Sequence, residues 1–195
     1  MTQRGQLIGR LRGLFGRIET RRVEYRGVLR YTWTCSCCGR QFDDLPLDWS
    51  ANAPLPYEEI PETERASRTE LTGSFCVVDG QAYIRGLVEI PIVGHADVLR
   101  FGIWASLSSA SMATLRQVWD SPDRDRAGFF FGWLSSRLPL YPDTVGLKTH
   151  VHLRAPPVAP YVELEPTDHP LAVEQRDGIT LARVVEIAEA LLPRH

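Results

Sequence analysis

The sequence predicts an α+β domain with a central antiparallel sheet, a meander, together with flanking helices and a C-terminal helix. Two observations lead to this fold class. Strand-like segments are gathered in the middle of the chain, whereas helix-like segments lie between them and at the end. In addition, no glycine-rich phosphate loop follows a predicted strand, which argues against a nucleotide-binding fold.

The clearest strand signal is the pair Asp79-Gly80, which separates two runs rich in β-branched and aromatic residues. Glycine accepts the positive φ angle of a tight hairpin turn, so Phe75–Val78 and residues 83–90 are predicted to be antiparallel neighbours. A third run, Val98–Leu107, follows a short loop and extends the meander. Further strands are predicted over residues 31–35, 147–153 and 161–165.

Helices are predicted in three places. Pro61 suits the first turn of a helix that reaches about residue 70. Residues 109–120 place apolar side chains on one helical face. Thr180 is a suitable N-cap for the last helix, which carries an apolar stripe. The aromatic segment 129–133 is predicted to be irregular, with rings that anchor the core or line a ligand groove.

Charge divides the chain into two parts. The 195 residues include 44% hydrophobic residues, enough for one sizeable core, and no apolar run reaches the ~18 residues of a membrane span. Residues 1–30 carry eight Arg against two Glu, a net charge of +6, although the whole chain has −2. We therefore expect a separable basic arm or helix over residues 1–30, followed by a single domain over residues 31–195.

The same charge pattern limits the choice of partners. The acidic domain is not expected to bind nucleic acid, and a protein is the expected partner. The arm is expected to fray or to dock on its own domain, and contact with a membrane surface is the less favoured alternative. The four cysteines are neither spread along the chain nor preceded by a signal peptide, which favours a reducing cytoplasm.

The cysteine cluster is the strongest chemical signal. In a Cys-x-x-Cys turn, Cys35 and Cys38 supply two thiolates to one edge of a tetrahedral zinc site, and Gly39 permits a tight knuckle. Cys76 is the favoured third ligand, because its predicted strand is a candidate neighbour of residues 31–35. Other candidates for the remaining positions are Cys37, His95 and His169. Two alternatives stay open, namely reduced thiols that simply pack and a redox pair formed by Cys35 and Cys38.

A second candidate site is Thr167-Asp168-His169, with Glu174 nearby in the sequence. A carboxylate and an imidazole are suited to acid–base catalysis near neutral pH. Consecutive side chains diverge in an extended segment, however. The structural alternative is that Thr167 or Asp168 caps a turn before the final helix.

Several motifs occur in an order that resembles a known family. They include Cys35-x-x-Cys38-Gly39, Ile84-Arg85-Gly86, Gly102-Ile103-Trp104, Gly132-Trp133-Leu134 and the long run over residues 164–175. From Thr34 onward the chain resembles the bacterial domain of unknown function 2199. The resemblance implies a cytoplasmic bacterial protein and brings no activity with it. It also implies a His three residues after Gly39, where this chain has Phe42.

Two functional hypotheses follow. The first is a non-catalytic binding or accessory module with a structural zinc knuckle, whose acidic surface contacts another protein. The second is a hydrolase-type enzyme that uses Asp168 and His169 with a nearby thiol or carboxylate. A catalytic set must converge on a concave pocket, so geometry distinguishes the two. The sequence favours the first, because it contains no evident convergent set.

Overall fold

The computed structural model describes residues 28–192. Residues 1–27, and with them nearly all of the predicted basic arm, lie outside the described residues, as do residues 193–195. The strands are β1 (Val28–Thr34), β2 (Gln41–Pro46), β3 (Asp48–Ser50), β4 (Thr69–Leu71), β5 (Phe75–Val78), β6 (Gln81–Pro91), β7 (Val98–Leu107), β8 (Phe129–Leu134), β9 (Lys148–His152) and β10 (Tyr161–Leu164). The helices are α1 (Leu55–Glu59), α2 (Glu62–Arg68), α3 (Ser109–Val118), α4 (Pro170–Asp177) and α5 (Leu181–Leu191), with a 3-10 turn over Arg124–Ala127.

Five of the strands close into a barrel. From β6 to β10, each strand pairs antiparallel with the next, as a meander requires. β10 then pairs in parallel with β6, where Tyr161 lies opposite Leu87, and the sheet closes on itself. β3 extends the sheet beside β7, and β5 and β4 extend it beside β6. The α+β class is therefore confirmed, whereas the simple meander is wrong.

Barrel closure depends on a close approach at Gly86. A Cβ atom at this position would lie 2.5 Å from Val162 Cγ2 and 3.0 Å from the carbonyl oxygen of Pro160. The next residue, Leu87, donates its backbone N–H to that same oxygen at 2.8 Å. Glycine is required here because β6 and β10 approach too closely for a side chain to fit between them.

The hairpin prediction is confirmed. Asp79 and Gly80 have φ angles of 47° and 83°, the positive pair that two-residue hairpins prefer. β5 and β6 pair antiparallel across this turn, with Cys76 opposite Tyr83. Cys76 therefore lies in the first strand of the hairpin, as predicted.

The aromatic segment does not follow its prediction. Residues 129–133 belong to β8, and buried and exposed side chains alternate along it. Phe130 and Leu134 pack into the core, while Phe129, Phe131 and Trp133 are exposed. Pairing with β7 and β9 supplies the regular strand geometry that the local sequence does not signal.

The predicted helices are confirmed with small changes at their ends. α2 follows Pro61, and Thr180 caps α5 by accepting a hydrogen bond from the N–H of Arg183 at 3.2 Å. α1 and α4 were not predicted. Within residues 28–192, no helix has both the length and the apolar character needed to cross a membrane.

The buried side chains form two clusters. The larger one fills the barrel and extends to α5, with Ile84, Ile103 and Ile187 fully buried. The smaller one contains Tyr83 and Trp104 together with Cys76. Successive residues of a strand face opposite sides, so Tyr83 and Ile84 belong to different clusters.

Candidate functional site

The three clustered cysteines lie in the tight turn between β1 and β2. The N–H of Cys35 donates to the carbonyl oxygen of Arg40 at 2.8 Å, and the N–H of Gly39 donates to the carbonyl oxygen of Cys35 at 2.9 Å. Gly39 has a φ of 70°, which glycine adopts without a steric penalty. These bonds close the knuckle that the sequence predicts.

The sulfur atoms of this turn converge. Those of Cys35, Cys37 and Cys38 all lie within 4.8 Å of one another, and the Cys35 and Cys37 sulfurs are 2.9 Å apart. Cys35 is buried, while Cys37 and Cys38 are exposed. Among residues 28–192, this is the one group of three or more Cys, His, Asp or Glu side chains with such geometry.

Hydrogen bonding makes the thiols of Cys35 and Cys37 unequal. A hydrogen bond from the Cys37 thiol lowers the pKa of Cys35, and the backbone N–H groups of Cys37 and Cys38 lower it further. The pKa of Cys37 is raised, chiefly because its thiol shares that hydrogen bond with Cys35. Cys35 therefore ionises more readily than Cys37, and a thiolate is the form that binds metal.

The cysteine turn is also attached to the last helix. Ser36 donates its backbone N–H to Glu189 Oε1 at 2.6 Å and its hydroxyl to Glu189 Oε2 at 2.8 Å. Glu189 lies in the last turn of α5, whose Ile187 and Leu191 belong to the larger core cluster. Sequence reasoning did not identify Glu189, since it is 153 residues from Ser36 and no local pattern connects them.

Other residues proposed as ligands lie elsewhere. Cys76 is not part of the three-sulfur group. It is buried in the smaller core cluster, where burial raises the pKa of its thiol to about 11. His95 is exposed in the loop between β6 and β7. Phe42 stacks on Trp33 with ring centroids 4.7 Å apart, so it serves the core at the position where the resemblance implies a His.

His169 caps a helix. Its Nδ1 accepts a hydrogen bond from the backbone N–H of Leu171 at 3.2 Å, at the N-terminus of α4. The hydroxyl oxygen of Thr167 accepts one from the N–H of His169 at 3.3 Å, while Asp168 is exposed. A capping role was predicted for Thr167 or Asp168, but the helix cap itself is His169.

Glu174 links α4 to α5 and to the loop that follows β8. Its carboxylate accepts hydrogen bonds from the Tyr141 hydroxyl and, at 2.9 Å, from Arg183 Nε. Burial, and secondly the neighbouring Glu174, raise the pKa of Tyr141. Asp168, His169 and Glu174 therefore have separate surroundings, and none of them lines the small cleft whose walls include Trp49, Glu58 and Arg137.

A comparison with protein-family models identifies a family that matches most of this chain. Residues 34–179 match the family described as an uncharacterized protein conserved in bacteria (DUF2199). The chain belongs to this family. The resemblance predicted from the sequence is thus confirmed, and in this DUF2199 member the matched region includes the whole cysteine turn as well as α4 and its cap. Neither the curated proteins nor the solved structures gave a match.

Proposed function

We propose that this DUF2199 protein is a non-catalytic binding module in which the cysteine turn holds a structural zinc ion. The observation that supports the proposal is the convergence of three sulfur atoms within 4.8 Å of one another. Zinc prefers thiolate ligands in tetrahedral sites, and a Cys-x-x-Cys turn supplies two of them. Cys35 would bind from the buried side, with Cys37 and Cys38 on the exposed side.

The proposed zinc ion would join parts of the fold that are far apart in the sequence. The turn carries the β1–β2 hairpin, and Ser36 connects it to Glu189 of α5. A metal that binds the folded turn better than the unfolded chain adds its binding free energy to folding. The ion would therefore hold the hairpin in the arrangement that Glu189 secures from the other side.

The proposed partner is another protein. Outside the basic arm, residues 31–195 contain 14 Arg and Lys against 22 Asp and Glu, so a polyphosphate backbone would be repelled. A reducing cytoplasm is the proposed location, because unpaired thiols persist there. The hydrolase hypothesis lacks comparable support, since His169 and Glu174 each have a structural partner.

Metal analysis of the full chain, purified without a histidine tag, tests the zinc proposal. We expect about one zinc ion per chain, and Cys35→Ser should lose it, because the substitution removes the one buried sulfur of the three-cysteine group. Cys76→Ala is the matched control, since it removes a buried cysteine outside the turn and should retain the metal. Cobalt in place of zinc should give a thiolate charge-transfer band that Cys35→Ser abolishes.

Two results would overturn the proposal. One is a full chain without stoichiometric zinc, whose cysteines react independently with a thiol reagent. The other is equal metal content in Cys35→Ser and Cys76→Ala. Either result would leave the turn as a structure held by Gly39 and Glu189 without a metal.

A further inference from the structure

A small cleft opens where β3, α1 and residues 136–139 meet the end of α5. It is distinct from the cysteine turn and from the segment that contains Asp168. Glu58 and Arg137 provide opposite charges at its walls. The apolar part of its lining includes Trp49, Phe101, Leu138 and Leu191.

Trp49 provides a fixed apolar surface in this cleft. The parallel pairing of β3 with β7 places it opposite Phe101, and only 5% of its surface is exposed. Its indole N–H has no hydrogen-bond acceptor among the described residues. This nitrogen is itself buried, so a ligand in the cleft would contact the indole through its apolar ring and not through the N–H.

Glu58 is a half-buried carboxylate whose charge is incompletely compensated. Burial raises its pKa, the positive charges of Arg65 and Arg137 oppose that shift without cancelling it, and the neighbouring charge of Glu59 adds a smaller increase. Arg65 has other contacts, because its Nε donates to the carbonyl oxygen of Ile60 at 3.1 Å and its guanidinium lies over the Tyr57 ring. An additional cation next to Glu58 would therefore stabilise its ionised form.

Arg137 supplies the complementary charge. Its side chain is exposed at the cleft, close enough to Glu58 for the two charges to interact. A guanidinium at a solvent-facing rim is well suited to bind a carboxylate through two parallel hydrogen bonds. The cleft thus presents an anion, a cation and an apolar surface within one small space.

We infer that this cleft binds a small zwitterion with an apolar side chain, that is, a free amino acid such as leucine. The ligand's ammonium group meets Glu58 and its carboxylate meets Arg137. Its side chain packs on Trp49 and Phe101. The inference extends the proposed binding role to a second site, and it holds whether or not the cysteine turn contains zinc.

Calorimetric titration of the full chain with three related probes tests this inference. L-leucine carries both charges, N-acetyl-leucine lacks the ammonium group, and leucinamide lacks the carboxylate. We expect saturable binding of L-leucine, and binding of each analogue weakened by about tenfold or more, the effect of losing one charge-assisted hydrogen bond. This comparison uses the unaltered chain, so it does not depend on the folding of a variant.

Substitutions then test which residue of the cleft binds each charged group of the ligand. Glu58→Gln should weaken L-leucine binding about tenfold and remove the preference over N-acetyl-leucine, and Arg137→Gln should remove the preference over leucinamide. Glu59→Gln is the matched control, because Glu59 is the exposed neighbour of Glu58 in α1 and does not line the cleft. Affinity for L-leucine should also fall as the pH is lowered through the raised pKa of Glu58, since protonation removes its charge.

Each of the two experiments has an outcome that would overturn the inference. In the probe series, it is the absence of saturable L-leucine binding, or equal affinity for all three probes. In the variant series, it is unchanged affinity in both Glu58→Gln and Arg137→Gln. Zinc content is measured separately, so failure here is distinguishable from failure of the zinc proposal.

Discussion

The cysteine turn and the segment 167–174 both carry side chains suited to chemistry, and the fold uses them in different ways. In the turn, three sulfur atoms lie within 4.8 Å of one another, two of them on exposed residues. In the segment, His169 caps α4, and Glu174 bonds to Tyr141 and Arg183. Similar density of reactive residues in the sequence therefore leads to convergence in one region and to dispersal in the other.

Local backbone geometry explains the difference. Gly39 and the two backbone bonds across the turn bring residues 35–38 around one point. By contrast, His169 stands at the start of α4, and Glu174 follows five residues later. Neighbours on a helical face are three or four residues apart, so these two side chains serve different contacts. Substitutions in the dispersed segment should accordingly change stability and leave metal content unchanged.

The largest effect in this segment is expected at Glu174. Glu174→Ala would leave the buried Tyr141 hydroxyl and the Nε of Arg183 without their acceptor. We expect the free energy of unfolding to fall by about 1–3 kcal/mol, the cost of unsatisfied buried polar groups. Denaturant unfolding of the full chain measures this.

Glu186→Ala is the control for this measurement. Glu186 also pairs with Arg183, at 3.1 Å, but it is 64% exposed, so its loss should cost far less. Equal destabilisation by the two substitutions would contradict the structural role assigned to Glu174. A loss of zinc in Glu174→Ala alone would show that the two regions are coupled.

A smaller effect is expected at His169. His169→Ala removes the cap of α4 and should lower the free energy of unfolding by about 1 kcal/mol, whereas His169→Asn should restore most of it, because Asn is a good N-cap. His95→Ala, in an exposed loop, should be neutral. If His169→Asn were no more stable than His169→Ala, the capping interpretation would be wrong.

The fold could be predicted where short-range signals determine it. The Asp79-Gly80 hairpin and the cap at Thr180 depend on neighbouring residues, and both predictions are confirmed. Barrel closure joins Tyr161 to Leu87, a pairing between segments far apart in the sequence. Gly86, inside a strand pattern, is a local sign that another backbone approaches closely, but Gly132 carries the same sign, and neither indicates which segment approaches.

The candidate site, too, could be predicted only where neighbouring residues determine it. The cysteine turn could be predicted because its three cysteines lie within four residues of one another. Cys76 was expected to join them through strand pairing, but β1 pairs with β2, and β5 lies between β4 and β6. The cleft lined by Glu58 and Arg137 is assembled from distant segments, so no spacing in the sequence could indicate it.

The smallest effect is expected at Asp168. This residue also gives the most direct test of the contrast between the cysteine turn and the segment 167–174. Asp168 is exposed, and its electrostatic contact is with Arg176, which already pairs with Asp177 at 2.8 Å. Asp168→Asn should therefore change the free energy of unfolding by less than about 0.5 kcal/mol and leave the zinc content unaltered.

A hydrolase that depends on Asp168 would behave differently. Turnover of an activated ester such as p-nitrophenyl acetate by the full chain would then be lost in Asp168→Asn and kept in Asp177→Asn, the matched exposed carboxylate at the end of α4. We expect these two variants to be indistinguishable, because Asp168 has no general-base geometry with His169, whose Nδ1 is occupied by the N–H of Leu171. A selective loss in Asp168→Asn would mean that the segment 167–174 acts as a catalytic site despite its dispersed contacts.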